Sequence, residues 1–187
     1  MKILFRFLLL LLLATMYGCA TTGANSPEDK RQRVQVMKTQ VLEALYAEKP
    51  STRDQVTAAK GYAVFDNANV NVILASFGGG YGVVHNNLTG ADTYMRMGEV
   101  GIGIGAGVRD FSVVFVFHST EAIDYFIEYG WTFGAQADAA AKAGEAGAAR
   151  SGEVVVNDVT IYQLTESGLA LQATIKGTKF WVDKNLN

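Results

Sequence analysis

The sequence predicts an α+β fold: a single domain with a strongly twisted, mostly antiparallel sheet or partly closed barrel, packed with several helices. Three observations carry that expectation. Residues 100–108 read V-G-I-G-I-G-A-G-V, with apolar even positions and glycine at Gly101, Gly103, Gly105 and Gly107, the period of two that marks a β-strand. Residues 111–117 follow as a run that is apolar on both faces apart from Ser112, and more short alternating runs fill the last quarter of the chain. Other stretches instead repeat apolar residues at spacings of three and four, as amphipathic helices do.

The glycine-faced strand organises the rest. Four glycines on one face cost roughly 0.5–1 kcal/mol each relative to alanine, so something must approach that face closely. A helix or sheet layer packed tightly on it is one candidate, and a bound lipid chain is the other. It is not a nucleotide loop, because its glycines alternate and run into Arg109-Asp110 and a second strand instead of opening a helix.

Taken in order, the chain begins with Lys2 and Arg6 around the start of a short apolar run, followed by the small residues Gly18, Cys19 and Ala20. This is the pattern of a secretory signal peptide, with an apolar run too short to span a membrane. Cys19 is the only cysteine, so no internal disulfide forms. Its place after Gly18 resembles the lipidation box of bacterial lipoproteins, although Met16 and Tyr17 depart from it; ordinary cleavage after Ala20 is the alternative. The expected organisation is therefore a signal peptide over residues 1–18, a tether over 19–25 and one domain over 26–187. By analogy with enterobacterial lipoproteins, Ala20 points to the outer membrane, on the periplasmic side.

Ser26-Pro27-Glu28-Asp29 starts a helix, with Ser26 as cap and acids near its positive end. Val34, Met37, Val41, Leu42 and Leu45 form its stripe, and Lys49-Pro50 ends it. A shorter helix from Ser51 or Thr52 turns Val56 and Ala59 inward. Residues 61–65 read as a strand closed by Asp66-Asn67, residues 70–77 as a second strand, and Gly78-Gly79-Gly80 as a sharp bend before residues 81–85. Residues 86–90 form a turn, after which residues 91–97 lead into the glycine-faced strand. Ser119 or Thr120 caps a helix with Ala122, Ile123, Phe126 and Ile127 inside, stopped by Gly130. Residues 135–149 are alanine-rich and read either as a helix or as an extended loop. Strands at residues 154–156, 160–165, 169–175 and 179–182 complete the order.

Composition narrows the function classes. The 187 residues hold 16 basic and 18 acidic side chains, and loss of Lys2 and Arg6 with the leader leaves a balance of −4. That disfavours nucleic-acid binding through net charge. His85 and His118 are the only histidines; a catalytic or metal site would need Asp66, Asp92 or Asp110 to join them, and the spacing does not place such a cluster. Surface recognition has more to stand on. Lys176, Lys179 and Lys184 surround Trp181, which suits an anionic membrane interface, and Tyr81, Tyr94, Arg96 and Arg109 flank the glycine strands as a second polar and aromatic rim. A solvated charged edge with a half-buried Trp181 is the plainer account of the same residues.

Several ordered motifs add a resemblance. Residues 61–67 (GYAVFDN), 78–83 (GGGYGV), 93–97 (TYMRM), 101–109, 130–134 (GWTFG) with the alanine-lysine segment after it, and Tyr162-Gln163-Leu164-Thr165 through Lys179-Phe180 are together similar to bacterial SYLF-domain lipoproteins, also called the Ysc84 family. The similarity covers about residues 35–184. It implies a non-enzymatic domain that binds phospholipid, without a cofactor or metal; actin and phosphoinositides, associated with eukaryotic members, have no obvious place in a bacterial envelope. The expectation is binding of anionic phospholipids by a membrane-anchored envelope lipoprotein, and the competing one is a structural or protein-interaction role in the envelope.

Overall fold

Strands β1 (Gly61–Val72) and β4 (Phe111–Phe117) hold the centre of the sheet because they carry apolar side chains on both faces. The computed structural model describes residues 26–72, 75–102, 111–130, 154–156, 158–165, 168–170 and 178–187. All of β4 but Ser112 is buried, and β1 contributes Ala63, Val64 and Phe65 at zero exposure. The described sheet runs β5 (Val154–Val156), β6 (Val159–Thr165), β4, β1, β2 (Ala75–Asn86), β3 (Asp92–Ile102), β8 (Thr178–Val182), with β7 (Gly168–Ala170) paired to β6 beside that path. Every pairing is antiparallel. The sheet is strongly twisted and, among the described residues, not closed into a barrel.

Alternation of side chains across so central a sheet produces two cores. One face carries Ala63, Phe65, Met95, Met97, Phe115, Phe117 and Phe180, covered by helix α3 (Thr120–Tyr129) through Ile123 and Phe126. The other carries Val64, Val83, Val114, Val116, Tyr162 and Leu164, covered by helices α1 (Pro27–Glu48) and α2 (Thr52–Ala58) through Val34, Met37, Val41, Leu45 and Val56. The helix signals act as expected. Ser26 Oγ accepts the Asp29 N–H at 3.1 Å, and Ser119 Oγ accepts the Ala122 N–H at 3.3 Å. Gly130 ends α3 with φ +62°, and a side chain there would run into the Phe180 carbonyl as well.

Three local expectations are corrected. Asp66-Asn67 does not close a strand: β1 continues through both, and Asp66 is paired with Tyr81 on one side and Ser112 on the other. The Ser112 hydroxyl donates to Asp66 Oδ1 at 2.8 Å, which satisfies the carboxylate within the ladder. Residues 70–77 are not one strand either, since β1 ends at Val72 and β2 begins at Ala75, with Val72 and Ala75 paired. Gly78-Gly79-Gly80 makes no bend. It lies inside β2, where a Cβ on Gly80 would come within 2.7 Å of Met97 Cγ, so Gly80 serves close packing.

The meander stops at β3. Strand β4 adds to the far side of β1 instead of pairing with β3, because a strand apolar on both faces is stable only between two covered layers. Gly101 pairs with Ser76 in the β2–β3 ladder, while Gly103, Gly105 and Gly107 lie outside the described residues. So do the alanine-rich segment at 135–149 and most of the expected strand at 169–175.

Candidate functional surface

Register places a row of side chains across three strands. Tyr81 of β2 pairs with Arg96 of β3, and Arg96 pairs with Trp181 of β8. Directly paired residues share a sheet face, here the face that bears α1. The row stays open to solvent: Tyr81 is 43% exposed, Trp181 40% and the Arg96 side chain 58%. Lys179, two residues before Trp181, is exposed on the same face of β8, whereas Phe180 between them and Thr178 before Lys179 turn inward.

Glycine makes room for this row. Gly79 and Gly98 pair beside it, and Gly98 pairs onward with Lys179. A Cβ on Gly98 would stand 3.0 Å from Trp181 Cη2, so the indole leans over the bare backbone there, while the space above Gly79 is empty to 4 Å. An aromatic, a guanidinium, a second aromatic and an ammonium thus line a shallow surface without intervening side chains. Such a surface can meet an anionic, partly apolar partner: the cations attract charge and the rings partition into an interface.

The C-terminal turn locks this corner. Asp183 N–H donates to the Tyr94 carbonyl at 3.0 Å, and the Asn187 side chain clamps the Tyr94 backbone, accepting its N–H at 2.9 Å and donating to its carbonyl at 2.8 Å. Asp183 Oδ2 lies 3.7 Å from Arg96 Nε. Lys184 is exposed in the same turn.

Tyr94 sits elsewhere than the rim expected of it. It packs against the α1 core, and its hydroxyl accepts the Gln35 amide at 3.0 Å. The same amide donates to Asp92 Oδ2 at 2.7 Å, and Asp92 Oδ1 lies 2.6 Å from His85 Nδ1. A histidine and an acid are therefore joined after all, by the cross-strand pair His85 and Asp92. Lys38 Nζ stands 3.7 Å from Asp92 Oδ2 and the Tyr62 ring 5.1 Å from His85, so the cluster ties α1 to the β2–β3 hairpin. His118 does not join it; its Nε2 meets Thr160 Oγ1 at 2.8 Å. Among the described residues no group of three or more His, Cys, Asp or Glu could hold a metal ion.

Burial, and then the negative charge of Asp92 and the neighbouring Tyr46, push the Tyr62 hydroxyl up to about 12 from 10.0. Because the folded value lies above the unfolded one, the stability this contributes is complete below pH 10 and is lost as pH rises from 10 towards 12. Absorbance titration at alkaline pH, wild type minus Tyr62→Phe, is expected to isolate a phenolate appearing near pH 12. A difference curve centred near pH 10 would show the ring in water.

Two grooves run between the flank of α1 and the sheet, of about 610 and 550 Å³. Both are bordered by Met37, Gln40 and Asp66, and the second reaches Tyr81. Cys19, Arg109 and Lys176 lie outside the described residues. Of the expected site residues the structure brings together Tyr81, Arg96, Lys179 and Trp181, with Lys184 in the adjoining turn. Sequence reasoning missed Asp183 and the Gly79–Gly98 pair. A signal for Gly98 was present as one more glycine in a strand, but its partner could be read only from register.

Residues 98–187 match the family model described as Ysc84, Las17-binding protein actin regulator. Over 162 residues the chain is 33% identical to the beta cell expansion factor A of Aeromonas veronii, a match that takes in 85% of this chain. The chain spans 59% of the length of that relative. Among the described residues no helix is long and apolar enough to cross a membrane.

Proposed function

We propose that this chain is a Ysc84-family (SYLF) lipoprotein of the bacterial envelope whose domain binds anionic phospholipid without chemical turnover. The observation that carries the reading is the open row Tyr81, Arg96, Trp181, with Lys179 on the same face and Lys184 beside it. The opposite side of the molecule supports it. Helix α3 covers the other sheet face and exposes Glu121, Asp124 and Glu128 with no basic residue in its length, so an anionic surface is drawn to the Arg96 side and repelled from the α3 side.

Lipidation of Cys19 after loss of residues 1–18 would hold the domain at the outer membrane, facing the periplasm, because multiple acyl chains bind more firmly than one. Lys176 and Arg109 complete the proposed basic set. Tyr94 borders the surface on the same sheet face, and its carbonyl accepts the N–H of Asp183. The actin regulation in the family description is not carried over, since an exported envelope domain meets no actin.

Cosedimentation of the chain carrying Cys19→Ser tests this. It is expected to bind phosphatidylglycerol vesicles more strongly than phosphatidylcholine vesicles, with the preference falling as salt screens charges beyond about 8–10 Å. Each lysine near the surface contributes on the order of 1 kcal/mol, so replacing Lys176, Lys179 and Lys184 together by alanine should weaken binding on the order of a hundredfold and leave the circular dichroism spectrum intact. Binding indifferent to headgroup charge and to this triple substitution would reject the basic surface. A folded chain that binds no lipid would favour a protein-interaction role, for which the exposed pair Tyr125 and Tyr129 on α3, with rings 5.0 Å apart, is the available surface.

A further inference from the structure

The cation at the centre of the row has a built-in competitor. Arg96 stands between Tyr81 and Trp181 and is more than half exposed, whereas Asp183 is only 14% exposed and is fixed on three sides. Its N–H is bonded to Tyr94, its Oδ1 accepts the Asn185 N–H at 3.0 Å, and its carbonyl accepts the Asn187 amide at 2.7 Å. That leaves Oδ2 directed at Arg96 Nε, 3.7 Å away. The carboxylate is held rigidly and the guanidinium is free to swing on its stem.

We infer that Asp183 is a fixed counter-ion that neutralises Arg96 in the unbound protein and thereby sets a threshold of anionic charge density below which the surface does not engage a membrane. The inference rests on the anionic-phospholipid reading of this surface. The physical reason is competition. A phosphate approaching Arg96 must take over a guanidinium already facing a carboxylate that cannot withdraw, and it meets that carboxylate's repulsion. A sparse anionic surface supplies one phosphate at a time and gains little. A dense one offers several to Arg96, Lys179 and Lys184 together and outweighs Asp183. With Arg96 more than half exposed and the two groups 3.7 Å apart the ion pair adds little to folding stability, so its charge can be removed with small effect on the fold provided that the Oδ1 acceptor for the Asn185 N–H is kept.

The test uses the full chain in the Cys19→Ser background, so that the N-terminal contribution is the same in every arm. Binding is measured against vesicles in which phosphatidylglycerol replaces phosphatidylcholine in steps. Asp183→Asn keeps the Oδ1 acceptor and removes the charge. It is expected to move half-maximal binding to a clearly lower phosphatidylglycerol fraction and to tighten binding at a fixed intermediate fraction by about fivefold, the equivalent of one freed surface cation. Asp124→Asn, the same charge change on α3, should leave the curve in place. In an Arg96→Gln background Asp183→Asn should bring no gain.

A gain from Asp183→Asn that survives Arg96→Gln, or that Asp124→Asn matches, would overturn the inference by making it net charge alone. Unchanged or weaker binding by Asp183→Asn would overturn it too, while leaving the lipid reading standing if the parent still prefers phosphatidylglycerol. No preference for phosphatidylglycerol by the parent at any fraction would overturn that reading itself, and this inference with it.

Discussion

Gly82→Val is expected to cost the domain about 3 kcal/mol or more, the upper range for forcing bulk into a packed core. Gly82 lies in β2 opposite Phe65 of β1. A Cβ there would overlap the Val64 carbonyl oxygen and stand 2.6 Å from Phe65 Cγ. Neither neighbour can give way. The carbonyl belongs to a central strand paired on both edges, and the Phe65 ring is wedged against Phe180, with centroids 4.7 Å apart. Relief would need the β1–β2 ladder to shift, and a register slip moves every side chain of β2 to the wrong face. Denaturant unfolding of the variant and parent checks this, and equal midpoints would show the face over Gly82 to be open.

Phe115→Ala is the second large effect, expected at about 3–5 kcal/mol. Phe115 is fully buried and touches rings from four elements: Phe117 on its own strand at 6.4 Å, Phe65 of β1 at 6.1 Å, Phe126 of α3 at 5.1 Å and Phe180 of β8 at 5.3 Å. Truncation loses the transfer energy of the ring and several edge contacts, and it leaves a hole lined by aromatic rings too large to collapse freely. Against a typical total stability of about 5–15 kcal/mol this is a large share. The midpoint in urea should fall with the slope unchanged. A loss under about 1 kcal/mol would mean that α3 moves in to fill the space, and α3 is then held less firmly than its burial of Ile123 and Phe126 implies.

What could be read in advance was local chemistry. Ser26 and Ser119 were legible as caps because a hydroxyl accepts an N–H only three residues away. Val34, Met37, Val41 and Leu45 were legible as one face because helical spacing repeats within a few residues. The Asn86 turn was legible for the same reason: its side-chain oxygen accepts the N–H groups of Leu88 and Thr89. Asp66-Asn67 misled because those residues favour turns on their own, and the cross-strand hydroxyl of Ser112 and an opening to the grooves beside α1 make a carboxylate acceptable mid-strand.

The candidate surface shows where sequence reading stops. Trp181 and Lys179 could be placed on one face by alternation, and the polar and aromatic residues of β2 and β3 could be named. Nothing in the sequence states that Tyr81, Arg96 and Trp181 fall in one row, that Tyr94 turns under α1, or that His85 meets Asp92. By itself the sequence determined the fold class, the positions of most elements and the residue types at the surface, since these follow from short-range periodicity, capping and turn chemistry. The tertiary structure alone decided strand order, register and the pairing of Arg96 with Asp183. Those depend on contacts between segments far apart in the chain, chosen by which apolar faces could be buried together.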